Sequence, residues 1–187
     1  METAGVLVPT LLIAAIVALL IVGPARQERA RSRGMEAAAG ELGWRWAGAQ
    51  PLDAVAGLER FGLFSVGRSR AVSNFMAGQR DGVRAALFDY RYTLGSGRSQ
   101  STQRQTVVYL RSEGLALPTF SLRPENVFHR IGGIFGCQDI DFADRPEFSR
   151  RCLLRGSREA EVRAAFTPEV TAFFEAEPGW CADGDGE

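Results

Sequence analysis

The chain has 187 residues and a formal net charge of zero, and 45% of its residues are hydrophobic, which excludes an intrinsically disordered chain. All 22 basic residues are arginine and none is lysine. The composition therefore excludes enzymes that need a P-loop lysine, a Schiff-base lysine or a Ser-Lys dyad.

The first predicted element is a membrane span over the uncharged stretch Thr3–Ala25. Roughly 20 predominantly apolar residues are needed to cross the hydrocarbon core of a bilayer. The basic residues follow this stretch and do not precede it: Arg26, Arg29, Arg31 and Arg33, with Glu28 as the one acid. Because cytoplasmic flanks are enriched in arginine, we expect a single-pass protein of a bacterial inner membrane or plasma membrane with its C-terminal domain in the cytoplasm. A cleaved or inverted leader is the alternative.

The chain is predicted to divide into four segments. They are a transmembrane anchor, a basic juxtamembrane linker, an α+β soluble domain and a loose acidic tail, over residues 1–25, 26–43, 44–180 and 181–187. The length of the soluble part is usual for one domain. Its fold class follows from hydrophobic patterns that predict a mainly antiparallel sheet and C-terminal helices.

Local patterns predict three elements before the sheet. The Ala-rich stretch Ser32–Leu42 is expected to form a short helix that ends at Gly43. Aromatic and charged residues alternate from Trp44 to Trp46, which is typical of a strand. Apolar residues at helical spacing predict a helix over Pro51–Phe64.

An antiparallel sheet is predicted in the middle of the domain. Asp81 and Gly82 are typical of a hairpin turn. The predicted strands are Ala71–Ala77, Val83–Leu94, Ser101–Arg111 and Thr119–Arg123, with a loop over Gly95–Gln100. One face of the second strand carries its aromatic residues, which we expect to be buried: Ala86, Phe88, Tyr90, Tyr92 and Leu94.

Helices and strands are predicted to alternate in the C-terminal third. The helices are Pro124–Phe135, Ser157–Phe166 and Pro168–Glu177, and the strands are Gln138–Phe142 and Arg150–Arg155. Ser157 and Thr167 are expected to be N-caps, because serine and threonine are favoured at that position. The last helix is expected to bury Val170, Phe173 and Phe174.

Six strings occur in a fixed order between about Gly43 and Trp180: RSRAVSNFMAG, ALFDYRYTLGSG, QTVVYL, LPTFSLRPE, GCQDIDF and FSRRCLLRG. Together they resemble a family of uncharacterised bacterial single-pass membrane proteins. The resemblance implies an N-terminal membrane helix and one α+β domain, and it implies no activity. Members of that family continue past the position of Trp180 into another β-rich segment, so the resemblance predicts a missing edge strand or a shortened reading frame.

Charge is unevenly distributed along the chain. Arg60 to Arg111 contains nine arginines against two aspartates, or +7, whereas Ser157 to Glu187 contains two arginines against eight acidic residues, or −6. We expect a surface that binds anionic lipid or an acidic protein partner, formed by Arg91, Arg98 and Arg104. The alternative is a solvated sheet face. Nucleic acid is not an expected partner of a membrane-tethered chain with zero net charge.

Carboxylates cluster at Asp139 and Asp141, which would share one face of a strand, as ligands of a hard cation would. An alternative hypothesis is therefore a metal-dependent or hydrolytic enzyme that uses these two residues, with His129 as its base. The cluster lacks the residue order of a calcium loop and is also typical of turn caps. Three distant cysteines and one histidine argue against a zinc site and predict free thiols, with one disulfide and one spare cysteine as the alternative for a secreted domain. A non-catalytic binding or scaffolding module without a cofactor is the leading prediction.

Overall fold

A computed structural model of the chain describes residues 25–114, 116–125 and 139–185. The chain divides into two compact units. Unit 1 contains residues up to 50 together with 72–89 and 106–110, and unit 2 contains residues 51–71, 90–105 and those from 111 onward. The fold is α+β with mainly antiparallel sheets, which confirms the predicted fold class.

Helix α1 covers residues 25–42 of the described chain. It contains the predicted helix Ser32–Leu42 and begins before it. Gly43 has a φ of 67°, and the amides of Gly43 and Trp44 donate to the carbonyl oxygens of Gly40 and Ala39 at 3.2 and 2.8 Å. These two bonds form the Schellman motif that ends many helices at a glycine, so the predicted stop at Gly43 is confirmed.

Within the described ranges, no helix has the length and apolar character needed to cross a membrane. The predicted span over Thr3–Ala25 lies outside those ranges except for its last residue. The part of the predicted helix Pro124–Phe135 that follows Glu125 also lies outside them, as do His129 and Cys137.

A four-stranded sheet has the order β1-β2-β3-β4. Its strands are β1 Arg45–Gln50, β2 Arg68–Arg80, β3 Val83–Leu94 and β4 Ser101–Arg111. β1 and β2 are antiparallel, with register shifts on both sides of Gly48. Asp81 and Gly82 have φ values of 52° and 79°, as a type I′ turn requires. The predicted hairpin and the predicted bounds of β3 and β4 are confirmed.

The aromatic face of β3 is buried, as predicted, since Phe88, Tyr90 and Tyr92 are 0%, 1% and 2% exposed. In unit 1, Phe75 stacks on Phe88 with 6.0 Å between ring centroids. In unit 2, Tyr90 stacks on Tyr92 at 5.4 Å and meets Phe64 edge-on at 4.9 Å. Aromatic rings bury large apolar areas, so this face contributes to the core of each unit.

The helix predicted over Pro51–Phe64 is wrong. Three single 3-10 turns occupy this stretch: Leu52–Ala54, Leu58–Arg60 and Gly62–Phe64. Val55 is extended and Gly57 has a φ of 96°, which interrupts the helical hydrogen bonds. Val55, Leu58 and Phe64 are all buried. The apolar spacing therefore marks the buried side chains of this stretch, although they do not lie on a continuous helix.

A second, antiparallel sheet lies in unit 2 and has the order β6-β5-β7. Its strands are β5 Phe120–Pro124, β6 Cys152–Gly156 and β7 Ala182–Gly184. The tail that was expected to be loose therefore supplies a strand that pairs with β5. This sheet contributes to a hydrophobic core of buried residues: Phe120, Leu122, Ile140, Phe148, Leu154, Val162 and Phe166.

Three short helices accompany this sheet: α2 Pro146–Arg151, α3 Glu159–Ala165 and α4 Pro168–Ala176. In the described part of the predicted strand Gln138–Phe142, only a single bridge forms, between Asp139 and Arg155. The next predicted strand, Arg150–Arg155, begins late at Cys152 because Pro146 starts a helix, a position that proline favours.

The predicted helix ends at α3 and α4 are partly confirmed. Thr167 is the N-cap residue of α4, as predicted, whereas Arg158 and not Ser157 precedes α3. Phe173 of α4 was expected to be buried but is 49% exposed. Thr171 is buried instead, at 1% exposure. Its hydroxyl is satisfied there, since it donates to the carbonyl oxygens of Thr167 and Pro168 at 3.2 and 3.0 Å.

Candidate functional site

The two faces of α1 carry different residues. Arg31, Met35 and Ala39 are spaced by four residues and therefore share one face. Met35 and Ala39 are 9% and 0% exposed. The opposite face carries three exposed arginines in the first half of the helix: Arg26, Arg29 and Arg33. The predicted juxtamembrane linker is thus a helix that belongs to unit 1 and has a basic outer face.

A polar cluster in unit 1 joins α1 to the four-stranded sheet. Arg31 donates from Nε and Nη2 to the two carboxylate oxygens of Asp89 at 2.6 and 2.7 Å. It also donates to Thr106 Oγ1 at 2.8 Å, and Thr106 donates to Asp89 at 3.0 Å. Asn74 donates to Asp89 at 2.8 Å. We refer to Arg31, Asn74, Asp89 and Thr106 as the Asp89 cluster.

Burial by itself raises the pKa of Asp89, but hydrogen bonds from Arg31, Asn74 and Thr106 oppose it, and the resulting pKa is below its ordinary value. Asp89 therefore stays ionised at neutral pH and keeps Arg31 bound. No member of the cluster is a group that exchanges protons near neutral pH. The Asp89 cluster is thus suited to hold α1 in place and not to acid–base catalysis.

The Asp89 cluster leaves little trace in the sequence. Arg31 and Asp89 are 58 residues apart, and alternation in β3 indicates only that Asp89 lies opposite the aromatic face. Asn74 is the one local signal, because it lies in the buried middle of β2, directly before Phe75 and Met76. It is 5% exposed and has a φ of 53°, a left-handed conformation that asparagine adopts more readily than most residues.

The structure brings the three predicted binding residues to one end of the β3–β4 hairpin. Arg91 lies near the end of β3, Arg104 near the start of β4 and Arg98 in the loop between them, and all three are exposed. Residues 90–105 contain no acid. Among the described residues, Arg91 and Arg98 have no carboxylate within ion-pair distance. We refer to Arg91, Arg98 and Arg104 as the arginine surface.

Arg68 holds the loop that carries Arg98. It donates to the carbonyl oxygen of Gly95 and, at 2.9 Å, to Oε1 of Gln100. Gly95 has a φ of 71°, and a Cβ on it would lie 2.5 Å from the carbonyl oxygen of Ser99, so the loop requires glycine there. The contacts of this loop therefore fix the backbone that carries Arg98, and the whole arginine surface belongs to unit 2.

Among the described residues, no further ligands are assembled around the predicted metal ligands Asp139 and Asp141. Arg155 donates from Nε to Asp139 Oδ1 at 2.6 Å, and Arg163 donates to the backbone carbonyl oxygen of Asp141 at 2.7 Å. Within the ranges that the structure covers, no group of three or more His, Cys, Asp or Glu side chains is placed to hold a metal ion. The two predicted metal ligands therefore have no third ligand among the described residues, and His129, the base of the enzyme hypothesis, lies outside them.

Comparison with protein-family models, with curated proteins and with solved structures found no match. The resemblance to a family of bacterial membrane proteins stays a prediction. The function is therefore argued from the geometry of this chain.

Two thiols lie within the described residues. Cys152 is half-buried and Cys181 exposed, and neither forms a disulfide, as the sequence predicts. Partial loss of hydration around the sulfur atoms raises the pKa of both thiols above the ordinary value, although Arg151 acts against this at Cys152 and Arg123 at Cys181. Neither cysteine is therefore an activated nucleophile at neutral pH.

A cleft of about 440 Å³ lies in unit 2, and Phe142, Arg145, Arg163 and Phe166 are among the residues that line it. Both guanidinium groups already have carboxylate partners. Arg145 pairs with Glu175 at 3.3 Å, and Arg163 pairs with Glu159 at 2.8 Å. Both arginines that line this cleft are therefore already neutralised by carboxylates.

Proposed function

We propose that the chain is a membrane-anchored, non-catalytic binding module at the inner face of a bacterial membrane, and that its arginine surface binds anionic lipid headgroups. The observation that carries the proposal is the exposure of Arg91, Arg98 and Arg104 at one hairpin end, in a stretch without acidic residues. An arginine near an anionic leaflet contributes on the order of 1 kcal/mol, and the effect falls off within a Debye length of roughly 10 Å.

The helix α1 supports the anchored part of the proposal. Residues 3–25 would span the membrane, and the arginines on the outer face of α1 would be among the first charges after the span, where cytoplasmic arginines concentrate. The folded module then begins directly after the span, because α1 belongs to unit 1 and the Asp89 cluster holds it. Such an attachment keeps the module at the membrane surface, as a binding or scaffolding role requires.

Hydrogen exchange tests the proposal. The full chain is reconstituted in bilayers of phosphatidylcholine alone and in bilayers that also contain phosphatidylglycerol, and exchange is measured for the amides of residues 95–100. We expect slower exchange in the anionic bilayer, and we expect added salt to remove the difference because it screens the charges. Equal exchange in the two bilayers contradicts lipid binding.

A pair of matched variants separates this surface from a general effect of charge. Arg91→Glu/Arg98→Glu reverses charges in the arginine surface. Arg45→Glu/Arg84→Glu makes the same change in net charge at two exposed arginines outside this surface, in β1 and at the start of β3. Only the first variant is expected to abolish the lipid-dependent difference. If both variants abolish it, net charge and not this surface accounts for the binding.

A further inference from the structure

The outer edge of β4 is open among the residues that the structure describes, because β4 is the last strand in the order β1-β2-β3-β4. β4 has 11 residues, and none of them is proline or glycine. The opposite edge strand, β1, has 6 residues and two register shifts around Gly48. Such irregularities protect an edge from pairing with another chain. β4 therefore has the longer and less protected edge.

Two apolar side chains on β4 face solvent. Val108 and Leu110 are 47% and 54% exposed, and alternation places both on the face that carries Thr106. Residues 105–110 are uncharged, and Arg104 and Arg111 lie on either side of them. Proteins that remain monomeric usually place a charge or a proline within such an edge. This window of β4 has neither.

We propose that β4 pairs with β4 of a second copy of this chain, in an antiparallel arrangement about a twofold axis near Val108. Val108 then lies beside the partner's Val108, and Leu110 lies opposite the partner's Thr106. The exposed apolar side chains of the two copies form one continuous stripe across the interface. Valine and threonine are favoured in such cross-strand positions.

Charge favours this arrangement over the parallel one. In the antiparallel pair, Arg104 lies opposite the partner's Ser112, and Arg111 lies opposite the partner's Gln105, so no two arginines face each other. A parallel pair in register would place each arginine beside its own copy, which is destabilising. The uncharged window pairs with the same window of the second copy, about an axis near its centre. The interface is therefore isologous, which means that both copies use the same surface.

Cross-linking of the full chain in detergent micelles tests the position of the axis. Serine replaces the native cysteines Cys137, Cys152 and Cys181, and Val108→Cys is compared with Thr102→Cys, which is also at an exposed position of β4. A disulfide needs Cα atoms within roughly 7 Å, whereas the two copies of residue 102 would be roughly 40 Å apart. We expect oxidation to link Val108→Cys as a dimer at least roughly tenfold more than Thr102→Cys. Equal cross-linking of both variants overturns the proposal.

The mass of the full chain in detergent, measured by light scattering without cross-linking, provides the second test. We expect a dimer for the wild-type chain and a monomer for Val108→Lys, which places two like charges side by side at the axis. Because Val108 is exposed, we expect this variant to keep its fold. Ala49→Lys, at an exposed position of the β1 edge, is expected to remain a dimer. A monomeric wild-type chain, or a dimer that survives Val108→Lys, overturns the proposal.

Discussion

Asp89 of β3 connects α1 with the two neighbouring strands through one carboxylate, because its partners Arg31, Asn74 and Thr106 come from α1, β2 and β4. Asp89→Asn keeps the size of the side chain but removes the charge that binds Arg31. We expect the free energy of unfolding to fall by about 1–3 kcal/mol, the usual cost of leaving partly buried polar groups without their partners. Denaturant unfolding of the full chain measures this change.

Asp53→Asn is the matched control, because Asp53 is exposed and substitutions at such positions usually change stability by less than about 0.5 kcal/mol. Equal losses in the two variants would show that the Asp89 cluster does not hold α1.

The pH dependence of stability checks the same residue independently. The pKa of Asp89 is lower in the folded chain than its ordinary value. Its carboxylate therefore adds stability at pH values above its unfolded pKa, and that stability is lost as the pH falls through its folded pKa. The difference between wild type and Asp89→Asn should be constant near neutrality and shrink below about pH 4. A difference that persists unchanged in acid contradicts the lowered pKa.

At the scale of elements, the contact between Trp44 and Gly78 joins the end of α1 to β2. A Cβ on Gly78 would lie 2.4 Å from Cδ1 of Trp44, so alanine at this position requires the indole to move. Gly78→Ala is expected to lower the free energy of unfolding by about 1–3 kcal/mol, as overpacking usually does. Denaturant unfolding followed by tryptophan fluorescence measures the loss.

Gly34→Ala in α1 serves as the control, because no atom lies within 4 Å of an added Cβ there. Alanine is favoured over glycine in a helix by about 1 kcal/mol, so this variant is expected to be more stable than wild type. If Trp44 packs against Gly78, the free energy of unfolding falls in Gly78→Ala and rises in Gly34→Ala. A change of the same sign in both variants contradicts this packing.

For the whole molecule, the compartment of the folded part determines which partners it meets. We expect a green fluorescent protein fused after Glu187 to fluoresce and an alkaline phosphatase fused there to be inactive, because arginines follow the predicted span. Fusions after Gly34 should behave in the same way. An active phosphatase would contradict the cytoplasmic orientation and would place the cysteines where disulfides form.

Local signals account for the parts of the fold that were predicted correctly. The bounds of β3 follow from a period of two and from the Asp81-Gly82 turn, which are properties of neighbouring residues. Gly43 likewise marks a helix end through its preference for a positive φ, and Thr167 marks one because threonine is favoured at the N-cap, although no side-chain hydrogen bond caps α4. The predicted helix over Pro51–Phe64 was wrong because its apolar spacing is also compatible with separate turns. A positive φ at Gly57 divides the stretch.

Among the candidate sites, too, those formed by residues close along the chain were predictable and those formed by distant residues were not. The arginine surface was predictable because Arg91, Arg98 and Arg104 belong to a single hairpin, whose register brings their positions together. The Asp89 cluster was not predictable because its four members come from four elements. Asp139 was expected to bind a cation, but its position beside Arg155 depends on a bridge between two separate segments.

The sequence by itself determined the strand periodicity, the helix ends and the basic charge of the β3–β4 hairpin, because each depends on residues that are close along the chain. Only the tertiary structure decided that Arg31 binds Asp89 across 58 residues, that β7 pairs with β5, and that Val108 and Leu110 remain exposed. These features depend on which face of one element meets another. That choice is made by the packing of the whole chain, and a local pattern does not encode it.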